Sequence, residues 1–65
     1  MNKKLSIKTW RNVAGMTQEE VARELGVSRQ TVVNWEKEGA KPSKVVLSAL
    51  AQLYETELEN IKQEG

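Results

Sequence analysis

The sequence predicts an all-α domain of five short helices, and three observations carry that prediction. Helix-start and helix-stop residues recur at short intervals along the chain. β-branched residues never alternate cleanly between turn dipeptides, as strands would require. The length, 65 residues, suits one compact domain spanning 1–65, with no linker, repeat or low-complexity segment. So small a core sits close to the stability limit. Without cysteine or histidine it has no disulfide, thiolate-metal or imidazole-metal staple to draw on. Packed helices remain, with dimerisation as a further source of buried surface.

The first helix begins at Ser6, with Ile7, Trp10, Arg11 and Ala14 on one side, and Gly15 stops it. Thr17 opens the second. Thr17-Gln18-Glu19-Glu20 has the spacing of a capping box, in which threonine and the glutamate three residues on satisfy each other's backbone N–H groups. Val21, Ala22 and Leu25 form its apolar stripe, and Gly26 ends it. Ser28 caps the third helix, about residues 29–37. Val32, Trp35 and Glu36 lie on one side of it, while Arg29, Gln30, Val33, Asn34 and Lys37 share the other. A loop follows, in which Pro42 keeps Lys41 out of helical geometry. Ser43 caps the fourth helix, whose apolar side is Val46, Leu47, Leu50, Ala51, Leu53 and Tyr54. Thr56 to Glu59 repeats the capping-box spacing and predicts a short fifth helix with Leu58 and Ile61. Gln63, Glu64 and Gly65 are expected to fray.

Composition excludes several functions. The chain contains no aspartate, histidine or cysteine and no phosphate-binding glycine loop, so an enzyme is the poorest fit and no cofactor or metal is expected. The basic start is not followed by an apolar run, so neither a signal peptide nor a membrane span is read, and the expected location is the cytoplasm. No small-molecule ligand is evident. Net charge is only +1, but it is unevenly placed: residues 1–44 carry nine basic groups against five acidic, and residues 45–65 one against four. One end could face phosphates, or the surface could simply be mixed and solvated.

Residues 17–37 form two helices around a tight glycine turn, Leu25-Gly26-Val27-Ser28, which is the helix-turn-helix arrangement. The outward face of the second of them, the reading helix at about 29–37, bears side chains suited to base edges. Arginine can donate twice to guanine, and glutamine or asparagine can pair with adenine. Arg29, Gln30 and Asn34 supply these groups, and Val33 beside them suits a thymine methyl. The alternative is a solvated face with one tolerated valine.

The run from Met16 to Lys37, with Thr-Gln-Glu-Glu, Leu-Gly-Val-Ser-Arg-Gln-Thr and Trp-Glu at these spacings, strongly resembles the Cro/C1-type, or XRE-type, helix-turn-helix family of the phage lambda repressor. The likeness covers about residues 5–61, through Ile7, Trp10 and Arg11 upstream and Pro42, Leu47, Leu50, Ala51, Leu58 and Ile61 downstream. It implies a compact five-helix lambda-repressor-like domain of bacterial or phage type that reads double-stranded DNA as a homodimer. It places Arg29, Gln30, Val33 and Asn34 at base-reading positions. Thr17, Gln18, Ser28, Thr31, Lys37 and Lys41 fall at phosphate-contacting or positioning ones. It also implies an ion pair between Arg11 and Glu36, each of which interrupts an apolar helix side; two solvated surface charges are the alternative. Trp10, Trp35 and Tyr54 read as core rather than base-stacking groups. The chain departs from the family pattern at Glu38, and at Glu55 and Thr56, where many members have glycine and an apolar residue. The dimer surface is expected at Val45, Val46 and the outward sides of Leu58 and Ile61. The rival reading is a protein-binding module on the same fold, either a toxin-neutralising protein or a partner that docks on a larger regulator; the toxin-neutralising form is the weaker fit. Such proteins usually add a long binding tail, and none is read after Ile61.

Overall fold

In the computed structural model, which describes residues 4–62, four α-helices pack around one core. They are α1 (Ile7–Val13), α2 (Gln18–Leu25), α3 (Arg29–Glu36) and α4 (Lys44–Leu53). Each starts where a side-chain oxygen satisfies a free N–H of its first turn. Ser6, Thr17, Ser28 and Ser43 accept from the amides of Thr9, Glu20, Thr31 and Val46. At α2 the capping box is complete, with Glu20 Oε1 accepting from the Thr17 N–H at 2.8 Å.

Three helix ends share one device. At each, a left-handed residue lets two successive N–H groups fold back onto the last turn. Gly15 (φ 73°) and Gly26 (φ 70°) supply that residue after α1 and α2. After α4 it is Glu55, at φ 57°. Glu55 N–H donates to the Gln52 carbonyl at 3.2 Å, and Thr56 N–H to the Ala51 carbonyl at 2.9 Å.

That third ending corrects the expected fifth helix. The Thr56 N–H a capping box would need is already bound to Ala51, so no box forms there. The segment makes a single 3-10 turn, Leu58–Asn60, with no side-chain cap, and Asn60 Nδ2 donates instead to Thr56 Oγ1 at 3.4 Å. The chain then extends. Leu5 and Ile61 form an isolated parallel bridge, with Leu5 N–H on the Asn60 carbonyl (3.1 Å) and Lys62 N–H on the Leu5 carbonyl (2.8 Å). Trp10 Nε1 donates to that same Asn60 carbonyl at 3.0 Å. One residue pair leaves no alternating pattern in a sequence, which is why no strand signal anticipates it.

Val21, Val32, Leu50 and Ile61 are almost wholly buried, one each from α2, α3, α4 and the returning segment. Ile7, Ala22, Leu47, Ala51 and Tyr54 surround them, with Trp10 and Trp35 partly buried at the edge. Two sequence expectations fail on burial. Ala14 is exposed, because α1 stops at Val13 and Ala14 is its C-cap. Ile61 is 1 % exposed and belongs to the core, so it has no outward side to offer a second copy. α3 ends one residue early, with Lys37 as its extended C-cap. Gln63 to Gly65 lie outside the described residues. Among the described residues no helix is long and apolar enough to cross a membrane.

An ion pair ties α1 to α3 beneath this core. Arg11 Nε donates to Glu36 Oε2 at 2.8 Å and Nη2 to Oε1 at 3.3 Å, with the two side chains only 11 % and 5 % exposed. The third guanidinium nitrogen, Nη1, donates to the Met16 carbonyl at 2.9 Å, holding the turn between α1 and α2.

Two stability outcomes follow from these features. Arg11→Met leaves Glu36 buried without its cation and should lose roughly 3–5 kcal/mol, while Arg11→Met/Glu36→Met recovers most of that loss. Urea unfolding followed by circular dichroism reads both, and equal losses in the single and double variants would rule out charge as the cause. Glu55→Gly relieves the left-handed backbone and should raise stability by about 1 kcal/mol, seen as a higher urea midpoint at unchanged slope. A fall would mean that the Glu55 side chain makes a compensating contact.

Candidate nucleic-acid interface

α3, the helix expected to read DNA, owes its placement to α2 and to the turn before it. Gly26 reverses the chain, and the Val27 N–H closes on the Ala22 carbonyl at 2.9 Å. Ser28 then fixes the first turn of α3 twice over: its hydroxyl accepts from the Thr31 N–H at 3.2 Å and pairs with the Thr31 hydroxyl at 2.9 Å. Val32 enters the core, so the opposite side of α3 is left facing out.

On that outer side Arg29, Gln30, Asn34 and Lys37 are exposed and Val33 is half-buried among them. Lys41 is exposed in the loop after α3, and Thr17 and Ser28 are exposed at the starts of α2 and α3. Thr31 is half-buried. The predicted base-reading set therefore shares one face of α3, while Lys37 is the C-cap of that helix and Lys41 lies in the loop after it.

Two side-chain hydrogen bonds involve this set, one within it and one to Gln18 of α2. Gln30 Nε2 donates to Asn34 Oδ1 at 3.0 Å, one helical turn apart. The pair as it stands leaves Gln30 Oε1 and Asn34 Nδ2 free. Together these offer one acceptor and one donor, while each amide is half-engaged with its neighbour. Arg29 Nη2 donates to Gln18 Oε1 at 3.4 Å.

Gln18 carries this contact inward. Its Nε2 donates to Glu36 Oε1 at 3.0 Å, so both ends of its carboxamide face protein groups. A chain of polar contacts thus runs from Arg11 through Glu36 and Gln18 to Arg29. Sequence analysis anticipated the Arg11–Glu36 pair, which forms, but not the links from Glu36 to Gln18 and from Gln18 to Arg29. Gln18 and Arg29 are eleven positions apart on different helices, and no periodicity links them.

Near the pair lies Tyr54, the C-cap of α4. Its hydroxyl is buried and has no hydrogen-bond partner among the described residues. Burial pushes the phenol up to about 12, the nearby Glu36 carboxylate adds to the rise, and Arg11 opposes it. The hydroxyl is therefore neutral at physiological pH. Trp10, Trp35 and Tyr54 all pack on or in the core, and none stands on the outer side of α3.

Comparison with known proteins agrees with this geometry. A family model described as helix-turn-helix matches residues 7–61, nearly the whole described chain. An uncharacterized HTH-type transcriptional regulator of Methanocaldococcus jannaschii is 36 % identical over 58 residues, covering 89 % of this chain and 88 % of the relative. Two uncharacterized HTH-type transcriptional regulators of Archaeoglobus fulgidus are 36 % and 38 % identical over 55 residues. Each of those matches covers 85 % of this chain, and 79 % and 78 % of the relatives. No solved structure matches the chain. All three relatives are archaeal, so the likeness reaches beyond bacteria and phages. The turn at Gly26, the capped α2 and α3 and a match spanning 7–61 leave one assignment: the chain belongs to the Cro/C1-type, or XRE-type, helix-turn-helix family.

Proposed function

We propose that the chain is a sequence-specific regulator that lays α3 in the major groove of double-stranded DNA and represses by occupying an operator. The observation that carries this reading is the exposure of Arg29, Gln30 and Asn34 together on one side of a helix whose other side is locked into the core. Arg29 would donate to guanine O6 and N7, held at its approach angle by Gln18. Gln30 and Asn34 would exchange their mutual hydrogen bond for an adenine edge, or read as one unit through Oε1 and Nδ2. Val33 would meet a thymine methyl.

Lys37 and Lys41 would grip phosphates, and the first-turn N–H groups of α2 and α3 would do the same beside Thr17, Gln18, Ser28 and Thr31. The hydroxyls of Thr17 and Ser28 are already used as caps, so the free backbone amides are the better donors there. A net charge of +1 gives little sequence-independent attraction. One copy of α3 also spans few base pairs. A homodimer on a palindromic site answers both deficits, since each half-site doubles the contacts without new surface on the reading helix. Val45, 80 % exposed on α4, with half-buried Val46 and Leu58, would provide the apolar surface. The protein would act in the cytoplasm, on the nucleoid, by occupancy alone.

Selection of bound sequences from random duplex DNA tests the reading. The expected result is an inverted repeat with half-sites about one helical turn apart. Failure to enrich any sequence would overturn the reading, and a single asymmetric half-site would overturn the dimer. On the selected site, alanine at Arg29, Gln30 or Asn34 should each lose about 1–3 kcal/mol and relax preference at particular base pairs. Alanine at Lys37 or Lys41 should weaken all sequences alike and reduce the salt slope by roughly one unit. Gel-shift titrations at several salt concentrations separate the two behaviours. If Arg29 and Lys41 variants behaved identically on every sequence, the division between base and phosphate contacts would be wrong.

A further inference from the structure

A cleft of about 610 Å³ opens where the start of α1, the end of α3 and the α3–α4 loop meet. That volume is in the range of small-molecule sites. Its apolar lining includes Ile7, Trp35, Pro42 and Leu47. Its charged lining is Lys8, Lys37, Lys41 and Lys62, four of the ten basic residues in the chain. Two carboxylates also line it, but Glu36 is matched by Arg11, which leaves Glu38 against four lysines. The lining thus combines aromatic and aliphatic side chains with four lysines. Phosphates of a duplex would use the lysines but not the apolar lining. A planar organic anion would use both, with its ring against Trp35 and its carboxylate or sulfonate among the ammonium groups.

We infer that this cleft binds a planar amphipathic organic anion, and that the anion competes with DNA for Lys37 and Lys41. The second part rests on the proposed DNA contacts of those two lysines; the first does not. The site sits at the C-terminal end of the reading helix, so its occupant draws off the same positive charge that the DNA backbone needs. Repression is then relieved by a small molecule bound to the helix-turn-helix domain itself.

The test uses the full chain and 2-naphthoate, with uncharged 2-naphthamide as the control for shape alone. Titration is followed by NMR through the Trp35 indole and the methyl groups of Ile7 and Leu47. Naphthoate is expected to bind saturably, at least tenfold more tightly than the amide, with shifts centred on those three residues. Lys8→Gln/Lys62→Gln, which leaves every proposed DNA contact in place, should weaken naphthoate at least threefold and leave the amide unchanged. Shifts that do not saturate, or equal affinity for acid and amide, would overturn the site. A second arm adds the selected duplex to the naphthoate complex. Release of naphthoate supports the competition, and simultaneous occupancy overturns it. If no DNA sequence binds at all, the regulatory reading fails while the first arm still decides the site.

Discussion

The buried pair of Arg11 and Glu36 is the constraint on which the rest of this domain depends. Removing two charges from water is unfavourable by several kcal/mol per ion, and a well-packed apolar pair would often stabilise as much. What an apolar pair could not supply is direction. The guanidinium reaches Glu36 with two nitrogens and the Met16 carbonyl with a third. One side chain of α1 therefore holds both the turn into α2 and the far end of α3. Because the bonds are directional, they fix the rotation of α3 about its axis, and that rotation decides which residues face outward. Glu36 has one more partner, Gln18, and through it the same constraint reaches Arg29 on the surface.

Tyr54 shows how tightly the surroundings are packed. Its hydroxyl has no partner among the described residues although both charges of the pair act on it electrostatically. Its role in the core is to fill space with its ring. A neutral phenol adds no third charge to a small interior that already holds the pair.

Much of this was legible in the sequence because it is local. Caps at Ser6, Thr17, Ser28 and Ser43 act within one helical turn, so residue type and spacing suffice to read them. The same reasoning misread residues 55–61. Thr56 and Glu59 have the spacing of a capping box, but the Thr56 N–H was already committed to ending α4, and a spacing rule does not register that prior claim. Glu55 in a left-handed conformation gave no warning either, since glycine is the residue that advertises such a turn. The bridge between Leu5 and Ile61 was invisible for a different reason: it joins segments more than fifty residues apart through a single pair. At the candidate interface, the outward set on α3 followed from helical periodicity, whereas the Gln18 link and the lysine-lined cleft arise only when helices are packed together.

The modest net charge then takes on a different meaning. A strongly basic domain would adhere to any duplex, and its base contacts would add discrimination to an already large affinity. Here the basic residues that face one another are gathered at the Lys37–Lys41 end of α3, while the residues with base-reading geometry are neutral apart from Arg29. Under the proposed function, affinity for non-cognate DNA is low, so a larger part of total binding depends on the right sequence. The same placement makes the interaction easy to modulate. An anion bound at one cleft would offset part of the charge gathered there, which it could not do for charge spread over the whole surface.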